Sequence, residues 1–208
     1  LSLILGLCAA LAWGVHDICV RYVSQRGGIL PALATVLVIG TFVLVPVTLM
    51  FGGWQDMTGA AYGFSALSGL CYVFGCIGLY QAFAIGPVRL VAPIMGSYPI
   101  LSIGWSAVQG QPVSVDQWLA VGAVVAGVAI VSTLSNEQSS TGSRANAIGW
   151  AIMGAVGFAG TFAVGHIATQ AGAELPVVLT TRVVTAAVVV SILLMSKGAT
   201  WPERAAWP

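Results

Sequence analysis

A chain of 208 residues in which 58% are hydrophobic and only 6% charged cannot cover a water-facing surface, for which soluble domains use about 25% charged residues. The bilayer has to be its solvent. A net charge of +1 with no basic or acidic run excludes nucleic acid as a partner. The four cysteines, Cys8, Cys19, Cys71 and Cys76, sit in apolar runs, and no His/Cys set has metal-ligand spacing, so the sequence implies neither a metal nor a cofactor.

The first apolar segment, residues 3–23, has no small-residue cleavage site followed by polar sequence and reads as a membrane helix rather than a signal peptide. It contains WGVHDICVRY, residues 13–22. Asp17 is about six residues from the end of this span, or roughly 9 Å deep at 1.5 Å per residue. A charge at helix centre costs roughly 2.5–3.5 kcal/mol on insertion scales, so something must compensate. Two answers are open. Arg21, at i+4, can pair with Asp17 and snorkel to the interface. Alternatively, Asp17 and His16 face a polar, water-filled space between helices. His16 lies about 100° around the helix from Asp17, on the stripe of Trp13 and Val20.

Six further spans follow, each near the roughly 20 residues needed to cross hydrocarbon. They are 30–51, 61–85, 88–109, 117–134, 147–171 and 175–196. Tyr80 and Gln81, near the end of the third span, share a depth with His16 and Asp17. The fourth span holds Pro93, Gly96 and Pro99. Each internal proline removes a backbone hydrogen bond and predicts a kink, with Ser97 and Tyr98 near mid-depth. Transporters place substrate at such segments; a static bend that shapes packing is the alternative. Residues 135–146 are a Ser-rich linker. The sixth span carries Ala151, Ala155, Ala159 and Ala163 at spacing four, with Gly157, Thr161 and Gly165 beside them, which predicts close helix packing. His166, near the end of the sixth span, and Arg182, in the seventh, share a second depth. Two polar layers are therefore expected, one near each mouth. Trp54, Trp118, Trp150, Trp201 and Trp207 fall near predicted interfaces, as an aromatic belt would.

The chain repeats itself. Under a shift of 145 residues, Ala10–Gly53 matches the later sequence at 12 of 44 positions without a gap, including Gln25/Gln170, Leu30-Pro31/Leu175-Pro176 and Leu49-Met50/Leu194-Met195. The second copy reaches two spans where the first has five. The expectation is an all-α membrane protein: seven transmembrane helices here, belonging to a ten-helix inverted repeat of two five-helix units. Residues 1–134 are the first unit, 135–146 the linker and 147–208 the start of the second. Five is odd, so consecutive copies lie with opposite orientation, an architecture common in secondary transporters. A homodimer would supply the remaining helices if the chain ended here.

Residues 78–131, GLYQAFAIGPVRLVAPIMGSYPILSIGWSAVQGQPVSVDQWLAVGAVVAGVAIV, resemble the third to fifth helices of an EamA-type drug/metabolite transporter. Gly110, Gln111, Ser114, Gln117, Gly122 and Gly127 take the places of the motif around that family's fifth helix, with Gln111 where glutamate is usual. Trp13-Gly14 followed by Arg21 is similar to the family's first helix. Pro176 and Arg182 resemble its P-x₅-R, for which the first copy has Leu37. The resemblance implies two EamA repeats around a central substrate cavity. Arg182 is the strongest functional residue by this reading and suits an anionic or carboxylate-bearing substrate.

Arg21, Arg26, Arg89, Arg144, Lys197 and Arg204 flank the odd-numbered loops. The positive-inside rule places those loops in the cytoplasm and Leu1 outside. The function expected is a secondary transporter, exporter or permease, for a small polar or amphipathic metabolite, working by alternating access in a bacterial inner membrane. Protons are its expected coupling ion, through Asp17 with His16. A seven-helix receptor or photoreceptor is the alternative, against which the only lysine, Lys197, stands at the end of the last span. No paired carboxylates, nucleophile–base pair or metal set suggests an enzyme.

Overall fold

The computed structural model describes residues 2–26, 28–108, 110, 112–134 and 143–196. Most of the linker, Gln111, Lys197, Arg204, Trp201 and Trp207 lie outside them. Among the described residues there is no strand. The helices are α1 (Ser2–Arg26), α2 (Ile29–Phe51), α3 (Gly59–Ile85), α4 (Val88–Met95), α5 (Tyr98–Val108), α6 (Val115–Leu134), α7 (Arg144–Gln170) and α8 (Glu174–Met195), with one 3₁₀ turn at Trp54–Asp56. Five of them, α1, α2, α3, α7 and α8, are long and apolar enough to cross a membrane. Large apolar side chains such as Leu11, Phe42 and Leu194 point outward. That is the expected surface of a chain solvated by lipid.

Local sequence explains the helix ends. Pro31 and Pro176 both fall in the first turn of their helices, where the missing N–H is one of the orphans anyway. Thr58 caps α3, its Oγ1 accepting from the Ala61 N–H at 3.1 Å. Ser114 and Gln117 form a capping box at the start of α6: the Gln117 N–H donates to Ser114 Oγ, and the Ser114 N–H to Gln117 Oε1. Two of the motif residues therefore have a purely structural use. Gly110 supplies the φ of 75° needed in the turn before α6.

The fourth span departs from expectation. It is not one kinked helix but two short ones, α4 and α5, separated at Gly96 and Ser97. Pro93 is inside α4, as a kink requires. Pro99 is instead the second residue of α5, a position that needs no N–H partner. It helps to start a helix rather than bend one. Ser97 Oγ closes the break by donating to the Ile94 carbonyl at 2.6 Å.

Helix α3 is the centre of the packing. It runs antiparallel to α7, and the two backbones come together at glycines. A Cβ on Gly78 would lie 2.6 Å from the Gly154 Cα, and one on Gly75 would strike the Phe158 ring. Small residues allow this approach in lipid, where contact comes from van der Waals packing. The glycines Gly154 and Gly157 make the contact, with Ala151 and Ala155 buried beside them; Ala159 and Ala163 stay half-exposed. Ser68 adds a bond from its Oγ to the Thr161 carbonyl at 2.9 Å. On its other side α3 is tied to the parallel α8 by Thr185 Oγ1 donating to the Gly69 carbonyl and Thr181 Oγ1 to the Ser65 carbonyl.

Loop contacts fix the two ends. At one, Thr58 donates to the Ala171 carbonyl at 2.8 Å, joining the α2–α3 and α7–α8 turns. At the other, Gly86 at the end of α3 lies against Ala147 at the start of α7. Arg21, from the last turns of α1, donates to the Gly86 carbonyl there at 3.5 Å. Thus α1 and α7 run in opposite directions.

Candidate functional site

Two cavities open between the helices. The first, of about 220 Å³, lies among α1, α2, α3, α7 and α8 and is lined in part by His16, Leu37, Cys76 and Tyr80. The second, of about 400 Å³, is lined in part by Ser68, Thr161, Phe162, His166 and Thr181. Trp13, Tyr72 and Arg182 line both. The cavities therefore meet at two aromatic rings and one cation.

Phe158 is the hub of that junction. Its ring makes an edge contact with Trp13 at 6.0 Å between centroids and tilted contacts with Tyr72 at 5.8 Å and Tyr98 at 6.1 Å. Tyr98 also stacks on Phe162, at 5.3 Å and 14° between planes. The lining is otherwise mostly apolar, as in most small-molecule sites, where a few polar groups set orientation.

Arg182 is the principal polar group. It projects from α8 toward α2, and its guanidinium lies against Gly40. Among the described residues no carboxylate is within ion-pairing distance of it, and none of its N–H groups has a protein acceptor. A guanidinium offers five donors in a fixed fork. Left open in an apolar cavity, they favour an anion that can accept two at once.

Of the expected polar layers, the structure brings His16 and Tyr80 together in the first cavity and His166 and Arg182 in the second. The layers are not separate, since Arg182 faces both cavities. Counting residues along a helix ignores the reach of a long side chain. Gln81 and Ser97 line neither cavity. Tyr98 reaches the junction only through its ring contacts with Phe158 and Phe162. His166 is exposed and near the Gln170 amide, 3.2 Å away.

The Asp17–Arg21 pair is not formed. Arg21 turns to the Gly86 carbonyl, because the end of α3 presents orphan carbonyls and the negative end of the helix dipole. Asp17 instead lies 3.2 Å, Oδ1 to Nδ1, from its neighbour His16. Asp17 itself lines neither cavity; the imidazole does. His16 also lines a small third chamber of about 90 Å³ with Cys19, Val36 and Tyr80. The carboxylate thus meets the cavity only through the histidine beside it. Among the described residues no group of three or more His, Cys, Asp or Glu side chains could hold a metal.

Sequence reasoning passed over Tyr72, Phe158, Thr161 and Thr181. The 145-residue shift was a usable signal for three of them. It lays Phe158 over Trp13, Thr161 over His16 and Thr181 over Val36. All three of those first-copy residues line the first cavity.

The EamA-like transporter family matches residues 1–133. The chain belongs to this family. It is therefore an integral, multi-pass membrane protein and a membrane transporter of the drug/metabolite superfamily, which sets aside the receptor reading. No curated protein and no solved structure matches the chain.

Proposed function

We propose that this transporter moves a small, amphipathic organic anion by alternating access, and that Arg182 binds the anionic group. One observation carries the reading: an arginine with no carboxylate partner and no protein acceptor among the described residues stands where two cavities meet. Aromatic rings around it suit an apolar or planar body, and neither cavity is lined by a carboxylate that would attract a cation. The combined space is of the size that takes a small metabolite.

Residues 1–134 form one five-span unit in this account, with α4 and α5 together making the fourth span, and an inverted copy begins at residue 147. Three observations support it. The family match ends at residue 133. The helices α1 and α7 run in opposite directions. Four lining positions of the first cavity, His16, Leu33, Val36 and Leu37, recur 145 residues later as Thr161, Val178, Thr181 and Arg182, which all line the second. Coupling to protons runs through the Asp17–His16 pair, with Tyr80 facing the same cavity as the imidazole. The membrane is a bacterial inner membrane, with the Arg21, Arg89 and Arg144 end in the cytoplasm.

The test is uptake into proteoliposomes of benzenesulfonate, an anion at every accessible pH. Benzenesulfonamide and benzyltrimethylammonium serve as neutral and cationic counterparts. Selective uptake of the sulfonate that is lost in Arg182→Gln supports the proposal. Uptake of the cation instead, or sulfonate uptake indifferent to Arg182, refutes it.

A further inference from the structure

We infer that Gly40 of α2 is a positioning residue for Arg182: the notch left by its missing side chain holds the guanidinium at the junction of the two cavities. The inference rests on the anion-binding reading above. Its evidence is the kind of neighbour Gly40 has. The glycines that bring helices together would clash with backbone or a packed ring if given a Cβ: Gly78 with the Gly154 backbone, Gly69 with the Thr181 carbonyl, Gly75 with the Phe158 ring. A Cβ on Gly40 would meet nothing within 4 Å except Arg182, at Nη1 and Cζ. Gly40 therefore makes no close helix–helix approach. The space it leaves is filled by one functional group.

The chemistry of the contact fits a seat rather than a bond. Gly40 lies within α2, where its peptide groups belong to the helix ladder, so at this position the helix offers the guanidinium a flat surface. The N–H groups stay free for a ligand while the plane of the fork is fixed. A preorganised fork loses less freedom on binding than a mobile one. A methyl at position 40 would push against the far end of a flexible side chain, leaving the backbone undisturbed. The fold should survive and the arginine should move.

The experiment is a cycle of wild type, Gly40→Ala, Arg182→Gln and the double variant, in lipid nanodiscs. Two quantities are read: affinity for benzenesulfonate, and the Arg182 side-chain Nε–Hε resonance in ¹⁵N-arginine-labelled protein. The inference predicts that Gly40→Ala shifts the Arg182 resonance and weakens binding about tenfold, a change of about 1.4 kcal/mol. In the Arg182→Gln background the same alanine should change nothing further. An unmoved resonance, or losses that simply multiply in the double variant, overturns the seat. A shifted resonance with sulfonate affinity unchanged in both single variants supports the seat and refutes the anion reading on which its purpose rests. Should Gly40→Ala accumulate poorly, the double variant Gly40→Ala/Arg182→Ala should accumulate normally, since the clash leaves with the arginine. Failure of both overturns the inference.

Discussion

The two cavities use positions that a shift of 145 residues lays over one another, and they differ in character. Where the first has His16, Leu33, Val36 and Leu37, the second has Thr161, Val178, Thr181 and Arg182. The apolar shape is kept, with Leu33 answered by Val178 and Trp13 met edge-on by Phe158. The polar chemistry is not kept. The titratable imidazole has a hydroxyl as its counterpart, and the cation has a leucine. In the function proposed above, the wall with His16 would exchange the proton and the wall with Arg182 would hold the anion. The comparison also shows what the cavities share, since Trp13, Tyr72 and Arg182 belong to both.

The largest effect should come from breaking the frame behind both. Gly78→Val would drive a side chain into the Gly154 backbone and force α3 away from α7. Overpacking costs roughly 1–3 kcal/mol even where side chains can yield, and here the obstacle is backbone. Thermal denaturation in detergent should show a clear fall in Tm; an unchanged Tm would mean that the α3–α7 contact does not hold the cavities in place. Next is Arg182→Gln, which removes the cation common to both cavities. Charge-assisted hydrogen bonds are worth roughly 1.5–3 kcal/mol, so benzenesulfonate affinity should fall about 10- to 100-fold while the Tm stays the same. Asp17→Asn touches the first cavity only, through His16. It should flatten the pH dependence of transport and leave membrane insertion intact, and a pH profile identical to wild type would remove Asp17 from coupling. The smallest effect is that of Ser114→Ala, remote from both cavities. Loss of this cap costs roughly 0.5–2 kcal/mol of helix stability. Amide exchange should quicken at the start of α6 while transport is unchanged; slower transport would tie α6 to the site.

The membrane spans were legible because apolar runs of the right length have few other uses, and the Leu-Pro starts were legible because proline tolerates few places in a helix. The break at Gly96 and Ser97 was only half legible. Two prolines signal a disturbed helix, but their sequence does not tell a bend from a restart, which depends on where Ser97 finds its acceptor. Which of the two open answers holds for Asp17 was not legible for a related reason. Helical spacing offers it Arg21, but a carbonyl 65 residues away from that arginine competes, and only the packing of α1 on α3 brings it near. His16, His166 and Arg182 stood out against apolar surroundings, but the hydroxyls of Thr161 and Thr181 did not. Nor did Phe158 and Tyr72, since an aromatic residue in a membrane helix looks the same whether it faces lipid or a cavity. Gly40 was invisible in principle, because its meaning lies in the side chain that fills its space.

The measurement that bears most directly on the joined-cavity account is protection from thiol labelling. In a background freed of Cys8, Cys19, Cys71 and Cys76, Val36→Cys reports on the first cavity and Thr161→Cys on the second. The account predicts that benzenesulfonate slows methanethiosulfonate labelling at both positions, and that Arg182→Gln abolishes the protection at both. Protection at one position alone, or protection that persists without the arginine, would contradict a single anion site shared by the two cavities.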